Sequence, residues 1–424
     1  MPPSPVFKII PTTQQYDWGK IGSSSKVAQF ASASKIPGFT LDESAPYAEL
    51  WMGTHPKSPS RVAESNSVLS EHLAAHPELI GKHVVQRFGI TNGNLPFLFK
   101  VLAIEKALSI QTHPDKTTAE MLFAQQPDIY KDDNHKPEMA IALTSFTGLC
   151  GFLPLPKVAA HLHATAELAS LIPSSVTTEF LAIASSSTPT GPVERAALKN
   201  VFAAIMTADE RQVRSQLGRL VARYKAGGAK PGEEPQDIVD LVLRLDSQFP
   251  GDVGIFCTFL LNYVHLKPGE AIFLGAGEPH AYISGDIMEC MANSDNVIRA
   301  GLTPKLRDIP NLVAFLTYEA APPSRHVVAR APYASSSTLY DPPIPEFSVV
   351  QVVVGASTTE THPAIAGPSI AIATDGAGSV RWGGADMSPV DIGQGDVYFI
   401  GADTEVSFSS ASGLAVYRAF VEAN

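Results

Sequence analysis

Pro268-Gly269-Glu270-Ala271-Ile272-Phe273-Leu274-Gly275-Ala276 and Gly393-Gln394-Gly395-Asp396-Val397-Tyr398-Phe399-Ile400-Gly401-Ala402 are two versions of one phrase. In each, a glycine followed by an acid turns the chain, and an apolar-aromatic run reads as a buried strand. Aligning Gly269 with Gly395 sets His280 against Val406. One copy therefore carries an imidazole where the other carries an aliphatic side chain.

Turn-plus-strand units of this kind fit an antiparallel jelly roll. Their texture is similar to that of cupin barrels, which carry metal ligands on inward-facing strand residues. The expected fold is mainly β with an α insertion: two cupin-type jelly-roll barrels plus a helical domain. Residues 1-151 with 252-325 form the catalytic barrel, 152-251 the helical insertion, and 326-424 a degenerate C-terminal barrel used for packing. Leu95 to Leu102 reads as a buried strand, Ala107 to His113 as the next, and Thr117 to Gln125 as a short helix. In the insertion, Val213, Leu217, Leu220, Val221 and Tyr224 fall on one helical face, and Ile238, Leu241, Val242, Leu245 and Phe249 form a second stripe. Thr207-Ala208-Asp209-Glu210 is a capping-box pattern, Gly227-Gly228 a terminator, and Ser185 to Gly191 a surface loop.

The chain has 424 residues, enough for two or three domains. Its net charge of -11 disfavours a nucleic-acid footprint and gives no general attraction to an anionic membrane. An anionic substrate then needs a local basic pocket. Cys150, Cys257 and Cys290 are too few and odd in number for a disulfide framework and read as small buried hydrophobes in a reducing compartment. Met1-Pro2-Pro3-Ser4-Pro5 lacks the regions of a signal peptide, and no apolar run is long enough to span a bilayer. A soluble, cytoplasmic monomer without nucleic-acid or membrane partners is expected.

Metal-ligand side chains lie on three remote segments: Gln111-Thr112-His113, His135-Lys136-Pro137-Glu138 and Glu278-Pro279-His280. Gln111 and His113 share a face if both lie on a strand. With Glu138 and His280 they make a mixed N/O set that suits Zn²⁺, one ion per chain. Iron is less suited, because an amide stands where a third imidazole would be. Taken singly, each of these residues has an ordinary reading as a satisfied polar side chain.

His280 opens the densest segment, His280-Ala281-Tyr282-Ile283-Ser284-Gly285-Asp286-Ile287-Met288-Glu289-Cys290-Met291-Ala292-Asn293-Ser294-Asp295-Asn296-Val297-Ile298-Arg299-Ala300-Gly301-Leu302-Thr303-Pro304-Lys305. Arg299 and Lys305 suit a phosphate, one as a fork and one as a point charge; their bland reading is two solvated cations. Lys100 and Ser109 flank the metal strands and could join the same anion pocket. Lys100 interrupts an apolar run, so its burial is costly without an anionic partner.

Tyr130-Lys131-Asp132-Asp133-Asn134-His135-Lys136-Pro137-Glu138 and the His280 to Lys305 segment resemble the two hallmark motifs of the type I phosphomannose isomerase family. Tyr16-Asp17-Trp18-Gly19-Lys20, Ala48-Glu49-Leu50-Trp51-Met52-Gly53 and Gln111-Thr112-His113-Pro114-Asp115-Lys116 resemble it too, with Asp17 where the family often has Ala. The resemblance implies a zinc enzyme interconverting mannose 6-phosphate and fructose 6-phosphate and supplying mannose for GDP-mannose and glycan synthesis. It implies Gln111, His113, Glu138 and His280 as zinc ligands, Arg299 as the catalytic arginine, and Ser109 and Lys305 at the sugar phosphate.

Such an isomerisation moves a proton between C1 and C2 through an enediol. Glu289, Asp295, His135 and Lys136 are candidates for the transfer, with Lys136 and Asp295 ranked first by family analogy. A non-catalytic cupin that senses a sugar phosphate is the alternative; it predicts binding without turnover.

Overall fold

Two antiparallel sheets, of ten and eleven strands, carry most of the β-structure in the computed structural model, which describes residues 3–384 and 388–423. The spine of the ten-stranded sheet is His280–Ala292. It pairs with Phe97–Ile104 along Gly285 to Ala292, and with Glu138–Ala142 along Ile287 to Met291. Its first half pairs with Phe146–Phe152, and His280 alone pairs with Gln111. The strand changes partners at Gly285, whose φ is +115°; a Cβ there would lie 2.6 Å from the Ser145 carbonyl oxygen. Only glycine fits that bend.

Side chains alternate across these strands. Leu102, Phe146, Ile272, Tyr282 and Ile287 fill the first barrel. Val350, Val352, Ala371, Val406, Phe408 and Val416 fill the second. Phe99, Val101, Met139 and Met288 face the other way and meet Val349, Ile370, Phe399 and Tyr417 in a core between the barrels. The architecture is thus mainly β, cupin-type, with a helical insertion. The repeated phrase falls on the strands Ala271–Leu274 and Val397–Ile400, and the strands that follow begin at His280 and Val406.

The amino-terminal segment departs from the expected division. Val6–Ile10 pairs with Val397–Ile400 in the eleven-stranded sheet, not in the first barrel. Its alternation explains why. Val6 enters the second barrel's interior, whereas Ile9 enters the core between the barrels.

Between Leu155 and Gln248 the chain is helical. Val213, Leu217, Leu220, Val221 and Tyr224 are buried on Glu210–Lys225, as their spacing predicts. The cap is Asp209, which accepts from the Arg211 and Gln212 amides; Thr207 instead donates to the Ala203 carbonyl and closes the preceding helix. Gly227, at φ +72°, ends the helix. Ser185 to Gly191 contains no helix or strand, and the three cysteines are buried and free. Phe249 caps the carboxyl end of Gln236–Gln248 and, half-buried, packs against the core that Ile238, Leu241, Val242 and Leu245 enter.

Arg223 ties the insertion together, donating to both Glu167 and Glu234. Burial alone would raise the Glu234 carboxyl, but Arg223, the Lys230 amide and Tyr224 outweigh it and bring the carboxyl to about 2. Its folded value is depressed, so its stabilisation is full above the unfolded value and is lost as pH falls toward 2. Glu234→Gln is expected to cost about 2 kcal/mol at neutral pH and to flatten stability between about pH 4 and pH 2. Chemical denaturation across that range checks this; an unchanged acid limb would reject the assignment.

Candidate metal centre

Strand pairing assembles the site. Gln111 stands opposite His280 on one side and opposite Arg299 on the other. Three residues from two remote stretches therefore lie abreast. Glu138 enters on Glu138–Ala142, whose partner Met291 is two residues past Glu289. His113 follows the short strand Ile110–Thr112, which covers only part of the run Ala107 to His113, and its carbonyl is tied to the Gly277 amide at 2.9 Å.

One donor atom from each of His113, Glu138 and His280 lies within 4.8 Å of the other two, and all three residues are buried. His113 Nε2 is 3.4 Å and His280 Nε2 3.3 Å from the Glu138 carboxylate. The opposite ring nitrogens are occupied: His113 Nδ1 is 2.6 Å from the Asn296 carbonyl oxygen, and His280 Nδ1 is 2.9 Å from that of Glu278. With Nδ1–H donating to a carbonyl, each Nε2 presents a lone pair. Both Nε2 atoms and Glu138 Oε2 are buried without a geometrically acceptable hydrogen-bond partner. Burial drives the His113 imidazole down to about 4 despite Glu138, so it is neutral at pH 7. Burial alone would raise Glu138, yet Lys136 and the imidazoles hold it well below the usual carboxylate range. A neutral imidazole and an ionised carboxylate are the states a divalent metal requires, and orphaned donor atoms facing one point fit Zn²⁺. Gln111 lines the same cavity, its amide oxygen 3.5 Å from the Ser109 hydroxyl.

That cavity has a volume of about 450 Å³. Glu138, Gln111, Lys136, Glu289, Lys100, Arg299, Ser109 and Lys305 all line it, with Tyr16, Trp18, Glu49 and Tyr282. The expected anionic partner of Lys100 is the protein itself. Its ammonium is 3.1 Å from Glu289 and 3.8 Å from Glu49, and lies 4.9 Å from the centre of the Trp51 ring. Burial would depress Lys100, but the two carboxylates hold it above the ordinary lysine value. Burial raises Glu289, against the pull of Lys100. Lys136 is 3.0 Å from Glu138. Arg299 is half-buried, and desolvation alone draws its guanidinium down, with no charged neighbour contributing.

Two candidates fall elsewhere. Asp295 is 3.0 Å from Lys57 and 3.6 Å from His55, and it lines an adjacent cavity of about 190 Å³ that shares Arg299. His135 is 2.6 Å from Glu346 and lines neither cavity. Each neighbours a site residue in sequence, but its side chain is engaged by another element. Glu49, Trp51 and Tyr282 were visible only inside longer motifs. Lys106 and Phe249, at the cavity's mouth, carried no sequence signal for a site.

Three family models match the chain: phosphomannose isomerase type I catalytic domain over residues 6–155, helical insertion domain over 171–261, and C-terminal over 337–385. A mannose-6-phosphate isomerase from Cryptococcus neoformans is 51% identical over 441 residues, covering all of both chains. One from Saccharomyces cerevisiae is 44% identical, covering 99% of each. A zinc-bound mannose 6-phosphate isomerase structure superposes with a TM-score of 0.81 at 31% identity, covering 99% of this chain and 100% of that one. A mutant of phosphomannose isomerase from Salmonella typhimurium gives 0.82 at 31%, with the same coverage. With its two imidazoles and carboxylate at one point, and likeness along its whole length, the chain belongs to the type I phosphomannose isomerase family.

Proposed function

We propose that the chain interconverts mannose 6-phosphate and fructose 6-phosphate through an enediol, with one Zn²⁺ held by His113, Glu138, His280 and Gln111. The observation that carries this reading is the convergence of orphaned His113, Glu138 and His280 atoms on one point, with Glu138 also lining the cavity that Gln111 and Arg299 line. Relatives named for this activity support it along the whole chain. Bound there, Zn²⁺ supplies a Lewis acid for the substrate oxygen that gains negative charge, without redox change.

The protein's own groups carry the rest. The Glu289 carboxylate accepts the C2 proton of the aldose and returns it to C1 of the enediol; burial raises its basicity and Lys100 keeps it ionised and oriented. Lys136 manages the hydroxyl proton exchanged between O1 and O2. Asp295 and His135 are left out of the proton transfer, since neither lines the cavity that holds Glu289 and Lys136. Arg299, with no carboxylate to neutralise it, offers its charge to the enediolate. Ser109 and Lys305 take part in holding the phosphate, and Lys100 is committed to Glu289. In the reverse direction the product, mannose 6-phosphate, supplies mannose units for GDP-mannose and glycan synthesis in the cytoplasm. No helix among the described residues is long and apolar enough to cross a membrane.

Arg299→Ala should lower kcat about 10²- to 10³-fold while zinc content, read by atomic emission, stays at the unaltered level. Loss of zinc in that variant would make the arginine structural. Glu289→Gln should lower kcat by about 10²-fold or more with zinc retained; near-normal turnover would transfer the proton step to Lys136. His280→Ala should lower zinc occupancy, and full occupancy would remove it from the ligand set. EDTA should abolish conversion in an assay coupled to fructose 6-phosphate, and added Zn²⁺ should restore it. A zinc-loaded protein inactive in that assay sinks the isomerase reading.

A further inference from the structure

The cavity's cations divide by depth. Lys136 is held by Glu138, and Lys100 by Glu289 and Glu49, so the deep charges neutralise one another. The remaining lining cations are Arg299, Lys305 and Lys106. Lys106 stands where this cavity opens into a groove of about 710 Å³ along the helical insertion; Lys106, Phe249 and Lys305 line both. Its only anionic neighbour among the described residues is Asp17, at 3.5 Å, whose carboxylate is 83% exposed and weakly bound for that reason. Its ammonium also rests 4.9 Å from the Phe249 ring centre.

The backbone around Lys106 is held from two sides. The amides of Glu105 and Lys106 both donate to the Trp18 carbonyl, at 3.0 and 3.1 Å. From the insertion, Gln248 accepts from the Ala107 amide at 3.0 Å and Arg244 donates to the Glu105 carbonyl at 2.9 Å. Lys106 is partly buried on this constrained loop, which keeps its ammonium at the cavity. A hexose 6-phosphate carries its anion at the end of the carbon chain away from C1 and C2. With the reacting carbons beside Glu138 and Glu289, the phosphate is directed toward the mouth.

We infer that Lys106, positioned by the helical insertion, binds the substrate phosphate together with Lys305, and that Asp17 is the intramolecular anion it exchanges for that phosphate. This rests on the sugar-phosphate reading above and extends it to a residue outside the motifs quoted for the family resemblance. A phosphate dianion outcompetes a single solvated carboxylate for the same ammonium.

The test uses 6-phosphosorbitol, a linear analogue that cannot isomerise, titrated calorimetrically into the zinc-loaded full chain. Lys106→Gln should weaken binding about tenfold, Lys106→Arg by no more than about threefold, and Asp17→Asn should tighten it about twofold. In turnover, Lys106→Gln should lower kcat/KM about tenfold, chiefly through KM. Binding by Lys106→Gln within twofold of the unaltered protein overturns the inference, as does equal weakening by Gln and Arg, or failure of the unaltered protein to bind the analogue. Binding without isomerisation by the unaltered protein would instead reject the catalytic reading, and the Lys106 comparison would still decide this one.

Discussion

The cross-strand register that sets Gln111 between His280 and Arg299 is the constraint on which the site depends. In a sheet, a one-residue slip moves every side chain to the opposite face. Such a slip would point His280 away from Glu138 and leave Arg299 outside the cavity. The register is held by burial: the residues flanking the site on these strands, among them Ile110, Thr112, Ala281 and Ile298, are buried and cannot exchange places with the polar set without loss. The bend at Gly285 then lets one strand serve both halves of the barrel, bringing His280 and Glu289 into the same space.

Electrostatics divides the cavity into two regimes. Deep charges come as close pairs, because an isolated ion there would be too costly to keep. Trp51 donates its indole N–H to Glu49, and Glu49 and Glu289 together hold Lys100. The inner wall is therefore a preset field, whereas Arg299 and the cations at the mouth retain capacity for an anion. Net charge of the whole chain says nothing about this arrangement; a strongly acidic protein builds a locally basic approach from a handful of side chains.

The grouping of His113, Glu138 and His280 and the mainly-β fold were legible because both rest on local pattern: turn-plus-strand phrases, alternation, and donor residues beside Pro and Gly. The insertion was legible through its period, and Val213 to Tyr224 are buried as spacing demands. What sequence could not supply was long-range pairing. His135 and Asp295 sit in the same motifs as Lys136 and Glu289, yet they pair with Glu346 and Lys57 from far away in the chain and lie outside the cavity that Lys136 and Glu289 line. Lys100 was recognised as a buried cation in need of an anion, but Glu49 and Glu289, the anions that answer it, lie on two other strands.

The strand Val6–Ile10 hydrogen-bonds to residues that are made long after it. During synthesis the start of the chain must remain without its permanent neighbour until Val397–Ile400 has left the ribosome. Contacts this distant along the chain are slow to form and leave a sheet edge unsatisfied in the meantime. The pairing of Val6–Ile10 with Val397–Ile400 forms only when these two remote segments meet, so a fault in the later segment is carried back to the earlier one.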